Sequence, residues 1–286
     1  MKRWKSQAAK YSMLTPLVMW MYLLVAIPFI YIIAISFMNK GTYGGVEPGI
    51  TLTNYIDILN PLYIVTFGKS ILISLVVTLI CLLIAYPFTY FIAKKSEIKK
   101  TVFMSMVMIP FCVSMIIRLF SWVNILRSEG YINKFLLSIG LISEPLKLVY
   151  NQVGAMIGLI YMLLPFMILP LYSSIEKLDK SLLEASSDLG AKRATAFLTV
   201  TLPLTKPGIF AGCVMVFIPS MGLYFVTDMM GGSKTLVIGN LIKNQFITAR
   251  NWPLGAAMSV VLMLITVLLL KAYTKAGGSM DDLSGI

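Results

Sequence analysis

Histidine does not occur among the 286 residues, and acids are scarce, twelve against twenty-four lysines and arginines. Without an imidazole there is no His-based zinc site, no Ser-His-Asp triad and no Cys-His nucleophile. The three cysteines, Cys81, Cys112 and Cys213, stand alone in apolar runs, with no paired spacing for a metal site or redox motif. They read as buried packing residues. Charge of either sign is thin, 13% of residues where a soluble domain has about 25%, while 58% are hydrophobic. Together these shortages argue against an enzyme in its own right and leave a polytopic membrane protein. A net charge of +12 would point a soluble protein towards nucleic acid. Here the bases lie between apolar runs, where they act as topology signals.

What the chain does contain is a series of charge-free runs. A hydrocarbon core takes about 20 helical residues to cross, and six runs meet that length: 14–37, 68–93, 102–126, 152–174, 207–227 and 254–272. The expectation is an all-α integral membrane protein, a single membrane domain over 1–286 with six transmembrane helices. The first run follows a basic leader (Lys2, Arg3, Lys5, Lys10) but is far longer than the apolar region of a signal peptide, so it reads as an uncleaved span. Counting bases by alternate loops puts fifteen on the face shared by both termini and the 94–100 and 176–206 segments. The opposite face has eight, so the positive-inside rule places both termini in the cytoplasm.

The segments assigned to the outer face are longer than turns. Residues 127–150 carry an apolar patch (Ile132, Phe135, Leu136, Leu137, Ile139) suited to lying along a membrane surface. Residues 228–253 mix a glycine pair with the run LVIGNLI, which fits either a solvated loop or a re-entrant dip buried by protein. Gly154/Gly158 and Gly208/Gly212 are small-xxx-small pairs that permit close helix approach. Pro28, Pro87, Pro110, Pro165, Pro170 and Pro219 fall inside spans, each removing a helical hydrogen bond and marking a kink or ordinary irregularity.

Between the fourth and fifth runs lies a polar interruption, Ser181 to Pro207. Ser181-Leu-Leu-Glu184 fits a capping box, and Leu182, Leu183, Ala185 and Leu189 give the helix after it an apolar side. Gly190 suits the left-handed residue that ends such a helix. A second short helix is expected from about Lys192 to Thr199, stopped by Leu202-Pro203, with Pro207 opening the next span in its first turn. Two short helices at an angle, projecting from the membrane, are the physical reading.

This segment resembles the coupling motif of ATP-binding-cassette importer permeases: Glu-Ala-Ala, three residues, Gly, nine residues, Ile-x-Leu-Pro. Glu184 and Ala185 are followed by Ser186, then Gly190, then Val200 with Leu202 and Pro203 in place. All spacings hold; Ser186 for alanine and Val200 for isoleucine are small departures in size and shape. The resemblance implies the type I importer permease fold (MetI-like) in a bacterial inner membrane. It also implies two ATP-binding subunits that use ATP and magnesium, a second homologous permease and an extracytoplasmic substrate-binding protein. Glu184, Ala185 and Gly190 would form the docking element and its bend, and Leu202-Pro203 its return to the membrane. No cofactor, metal or nucleic acid is expected on this chain. Its nearest approach to a phosphate loop, Gly231-Gly232-Ser233-Lys234-Thr235, lacks the adjacent Gly-Lys and the upstream glycine spacing.

Within that family, RLFSWVNILRSEGYIN (118–133) and FIPSMGLYFVTDMMGGSKTLVIGNLIKNQF (217–246), followed by NWPLGAA, are similar to the permeases of spermidine/putrescine importers. A polycation path needs sparse carboxylates and aromatic faces. Asp228 borders the fifth run one helical turn from Tyr224, so both can face one path, or Asp228 merely caps the loop. Trp122 is a weaker path residue, since a core tryptophan is the usual reading. Arg118, inside the third run, would repel a polycation and is set apart, for pairing with a partner's acid or with backbone carbonyls. The competing readings are a same-family permease for a metal, anion, sugar or peptide, and an ion-coupled secondary transporter. The latter would need no coupling loop and usually shows internal repeats, of which none is convincing here.

Overall fold

The computed structural model describes residues 14–232, 235 and 237–275. The basic leader, with Ser233 and Lys234 of the glycine-pair segment, lies outside the described residues. Contacts group the chain into two compact units. One comprises residues up to Ile64 with Leu241–Leu264; the other comprises Val65–Asn240 with the residues from Ile265.

In the first unit, α1 (Leu14–Ser36) is apolar all round and almost wholly exposed. Its C-terminal carbonyls, which have no intrahelical donors, are met by α2 (Thr53–Ile58). Buried Asn54 donates to Ser36 O (3.0 Å) and Met38 O (2.9 Å). Tyr55 adds a 2.7 Å hydroxyl contact to Ser36 Oγ and a ring contact to Phe37 at 5.2 Å. Between these helices runs a two-stranded antiparallel ribbon, β1 (Asn39–Lys40) and β2 (Val46–Glu47). Its tip is tied by Glu47, which accepts from Thr42 N and Thr42 Oγ1, both at 2.9 Å. Those hydrogen bonds, the backbone one foremost, hold the Glu47 carboxyl below its usual range.

The second unit is built on α3 (Pro61–Ala93, from Val65 on), α4 (Glu97–Met108), α5 (Met115–Leu126), α6 (Tyr131–Ser138) and α7 (Gln152–Glu176). These are followed by α8 (Lys180–Asp188), α9 (Arg193–Leu204), α10 (Lys206–Gly222) and α11 (Tyr224–Val226), which runs into a π-turn at Thr227–Gly231. α12 (Ile238–Ile247) and α13 (Trp252–Lys275) are the last described helices, and the residues of each are divided between the two units. Helix α7 is the centre of the second unit, with Leu159, Leu163, Met167 and Leu171 fully or nearly fully buried. Both glycine pairs do the work expected of them. A β-carbon at Gly212 would lie 2.6 Å from Met167 Sδ, so α10 packs backbone-close on α7. One at Gly154 would lie 2.7 Å from both Leu148 O and Met230 O, so the Thr227–Gly231 turn closes on α7 from another side.

Among the described residues, α1, α3, α7 and α13 are long and apolar enough to cross a membrane. The count reaches six if two bent pairs each form one span. The first of these bends departs from the continuous helix expected at 102–126, and a separate break interrupts the helix expected at 207–227. At the first, the chain turns 98° between Cys112 and Met115. Pro110 tightens the helix end into a 3-10 turn, after which Val113 (φ −84°, ψ 142°) and Ser114 are extended. At the fifth run, α10 stops at Gly222 and Leu223 (ψ 61°) breaks the helix. There α12 presses in, since a β-carbon at Gly239 would strike the Gly222 carbonyl. The cysteine expectation holds for Cys81, buried, and partly for Cys213; Cys112 is exposed in the chain on its own.

Candidate functional site

The polar segment after α7 forms the two angled short helices expected. Its N-terminal cap is not the one expected. Asp179 caps α8, accepting from Ser181 N at 2.9 Å, so the Ser181–Glu184 capping box does not form. An aspartate two residues ahead of a free N–H offers a charged acceptor, which outcompetes a serine hydroxyl further along. That hydrogen bond holds the Asp179 carboxyl below its usual range, so the cap stays charged at neutral pH. The far end closes as expected: Gly190 has φ +80°, its N–H bonds to Ser187 O (2.9 Å) and Ala191 N–H bonds to Ser186 O (3.0 Å). These two bonds make a Schellman cap.

The side chains of α8 fall into two groups. Ser186 is buried and donates to Leu183 O at 2.8 Å, so serine satisfies itself where the motif has alanine. Glu184, Ala185, Leu182 and Leu189 are exposed, Leu189 by 89%. A short helix with leucines held out of the protein has an apolar side without an internal partner.

Helix α9 is anchored instead. Ala196 is buried, and Phe197 packs edge-on against Tyr86 (5.6 Å) and Tyr90 (5.7 Å) of α3. Leu202-Pro203 was expected to stop this helix; the helix runs on to Leu204. A π-turn over Phe197–Thr201, with Leu202 N–H bonded to Phe197 O, widens the coil and makes room for the Pro203 ring. The direction changes at Thr205, where α9 and α10 meet at 63°, and Tyr86 and Thr205 hydroxyls pin the corner at 2.8 Å. Pro207 lies in the first turn of α10, as expected.

The base of the loop is held by a cluster that patterning missed. Lys100 Nζ reaches Glu97 (2.8 Å) and Glu176 (3.1 Å), and Tyr172 OH donates to Glu176 (2.7 Å). Lys100 therefore ties the start of α4 to the end of α7, where the loop begins.

The Tyr224 carbonyl and the Asp228 carboxylate are brought together by a residue that local pattern does not reveal. Asn240, buried to 1% exposure, accepts from Thr227 Oγ1 (2.8 Å) and Val237 N (2.9 Å). Its Nδ2 donates to Tyr224 O (3.4 Å) and Asp228 Oδ1 (2.5 Å). One carboxamide thus fixes the start of the turn that carries the exposed Asp228 and ties it to Val237, just ahead of α12. Trp122 is elsewhere: its ring sits 5.1 Å from Tyr161. Arg118 approaches the same Tyr161 ring at 5.9 Å and lies over Phe111 at 4.4 Å. Its Nε and Nη1 are buried, with no hydrogen-bond partner among the described residues. Trp122 therefore shares its aromatic neighbour with a fixed cation.

Comparison with known proteins completes the description. Residues 85–275 match the sequence model of the family described as "Binding-protein-dependent transport system inner membrane component". The chain is 43% identical over 264 residues to the spermidine/putrescine transport system permease protein PotB of Escherichia coli, covering 92% of this chain and 96% of that protein. PotB of Haemophilus influenzae is 41% identical over 257 residues, 90% of each chain. Among solved structures, a chain of a bacterial alginate ABC transporter in complex with an alginate pentasaccharide-bound periplasmic protein superposes with a TM-score of 0.76. It is 17% identical, with 95% of this chain and 94% of that chain covered, a likeness of fold.

Proposed function

The chain belongs to the family of binding-protein-dependent transport system inner membrane components, and from that premise we propose that it is the permease subunit of an ATP-driven polyamine importer. The observation that carries the polyamine assignment is the 43% identity to a spermidine/putrescine permease along 92% of the chain. The same reading gives six spans, each bent pair counting as one, with both termini and the α8–α9 loop in the cytoplasm. Two ATPase subunits supply the energy, using ATP and magnesium. A second permease completes the translocation path, and an external binding protein delivers the polyamine.

In this reading α8 is the element an ATPase grips. Exposed Leu182, Ala185 and Leu189 form the apolar side that enters a groove, and Glu184 meets a base on the ATPase. Helix α9, anchored on Tyr86 and Tyr90, carries the push to α10 through the pinned corner at Thr205. Closure of the ATPases is thereby converted into movement of a packed span rather than of a free loop. ATP hydrolysis is supplied by the partners.

The substrate path runs past Asp228 and Tyr224. Asp228 supplies the counter-charge to an ammonium group, and Tyr224 offers an aromatic face. Trp122 is the less favoured path residue because Arg118 occupies its surroundings, and the buried guanidinium awaits a carboxylate of the second permease. The function is tested by ATP hydrolysis in the reconstituted complex with its binding protein. Spermidine or putrescine should stimulate it, and methionine, alginate oligosaccharide or ferric iron should not; stimulation by one of those alone would replace the polyamine assignment. Asp228→Asn keeps shape and the Asn240 contact while removing charge. It should leave assembly intact and cut labelled spermidine uptake by about tenfold, the scale of one lost charge contact. Unchanged uptake at all concentrations would remove Asp228 from the path.

A further inference from the structure

Four cavities among the described residues differ in how their charges are arranged. One of about 540 Å³ places Glu129 beside Arg127 and Lys147, and another of about 540 Å³ places it beside Lys134. A third, about 610 Å³, is almost wholly apolar. The fourth, about 510 Å³, lies within the first unit and is lined by Asp57, Asn60, Tyr63 and Asn251 over aliphatic side chains. It combines a carboxylate, an aromatic ring and two carboxamides with no lysine or arginine.

Asp57 has no structural duty that accounts for it. It stands in the last turn of α2, where free carbonyls already make the helix end negative, so its charge works against the helix. Its carboxylate makes no hydrogen bond or ion pair among the described residues. Its neighbours, by contrast, are fixed. Asn60 Oδ1 takes the Leu62 N–H at 3.0 Å and so starts α3, while the Tyr63 hydroxyl meets Gln245 Nε2 at 3.2 Å and holds the ring in the cavity wall. An acid at a helix C-terminus, beside a clamped tyrosine and with no base in the lining, is a locus of negative potential on a chain of net charge +12. Such a locus concentrates cations near it while the rest of the chain repels them.

We propose that this cavity is a capture site for a primary ammonium group of an organic polycation, with Asp57 as the counter-charge and the Tyr63 ring as the cation–π face. The identity of the cation rests on the polyamine reading above, and the site's external position on the topology given there. It shares no residue with the Asp228 turn, and its role is to raise the local concentration of the cation around Asp57.

The test uses the assembled complex in sealed proteoliposomes, where uptake and labelling can both be read, and a spermine analogue carrying an aryl azide. On illumination the label is expected in the peptide spanning residues 53–64, competed by excess spermidine. Asp57→Asn should lower it about tenfold, the factor that 1.4 kcal/mol of lost contact gives, with the complex still assembled. Label unchanged by the substitution, or confined to other peptides, overturns the site. So does a loss of binding-protein association in Asp57→Asn with labelling intact, which would make the cavity a protein-docking surface. Labelling without any spermidine uptake by the unsubstituted complex keeps the site and removes the polyamine-import reading. Uptake without labelling here does the reverse.

Discussion

A chain carrying both Glu184→Lys and Gly190→Val is expected to insert at the normal level, co-purify no ATPase and support no uptake above background. Both positions lie on the exposed surface of the α8 turn, so neither change disturbs the packed core. A β-carbon at Gly190 would meet nothing within 4 Å, and steric crowding is therefore not the mechanism. The cost is in the backbone: at φ +80° a β-branched residue pays about 1–2 kcal/mol or more. The chain can shed that cost by unwinding the Schellman cap and carrying Leu189 out of register with Leu182 and Ala185. Charge reversal at Glu184 then sets like against like wherever the ATPase presents a base. Gly190→Asn is the control, because asparagine tolerates the left-handed region, and it should retain coupling. Retained ATPase and full transport in the double variant would sink the assignment of α8 as the docking element.

The coupling loop was readable before its geometry because its motif residues have backbone duties that local spacing records. Gly190 ends a helix in the one conformation glycine favours, and Pro207 sits where a missing N–H costs nothing. The two glycine pairs were readable for a similar reason, since close approach leaves small residues four apart. The Asp179 cap was missed because Glu184, three residues after Ser181, completed a more familiar box. The breaks at Val113 and Leu223 were missed because both residues are apolar and hydropathy does not register a turned backbone. Lys100 and Asn240 were invisible for a different reason. Lys100 meets Glu176 across 76 positions and Asn240 meets Asp228 across 12, and such pairs leave no periodic trace. Asp57 stands in the stretch NYIDILNPLY, whose pattern does not single it out; its meaning comes from the cavity around it.

Gly154→Val is expected to remove the folded chain altogether, leaving an aggregated or degraded product where the parent elutes as one species from detergent. The first turn of α7 is enclosed by backbone. A β-carbon at Gly154 would be 2.7 Å from the Leu148 and Met230 carbonyl oxygens and 3.1 Å from Val149 Cα. None of these atoms swings aside as a side-chain end does, so overpacking of about 1–3 kcal/mol in an ordinary core is here a lower bound. Relief requires the Met230 carbonyl to retreat, but that carbonyl accepts from Tyr150 N at 2.7 Å. Its retreat would drag the Thr227–Gly231 turn, and with it Asp228, away from Asn240. Two further substitutions give the effect a scale. Gly158→Ala meets Met230 Sδ at 2.5 Å and Val226 Cγ1 at 2.8 Å, side-chain atoms with some freedom, and should lower thermal stability without abolishing folding. Gly68→Ala meets nothing within 4 Å in the interior of α3 and should be neutral or gain up to about 1 kcal/mol from helix propensity. Thermal unfolding of the three variants in detergent should therefore rank Gly68→Ala above Gly158→Ala, with Gly154→Val giving no transition. Equal behaviour of all three would mean that α7 does not pack on the Thr227–Gly231 turn through its glycines, and the link from that helix to Asp228 would fall with it.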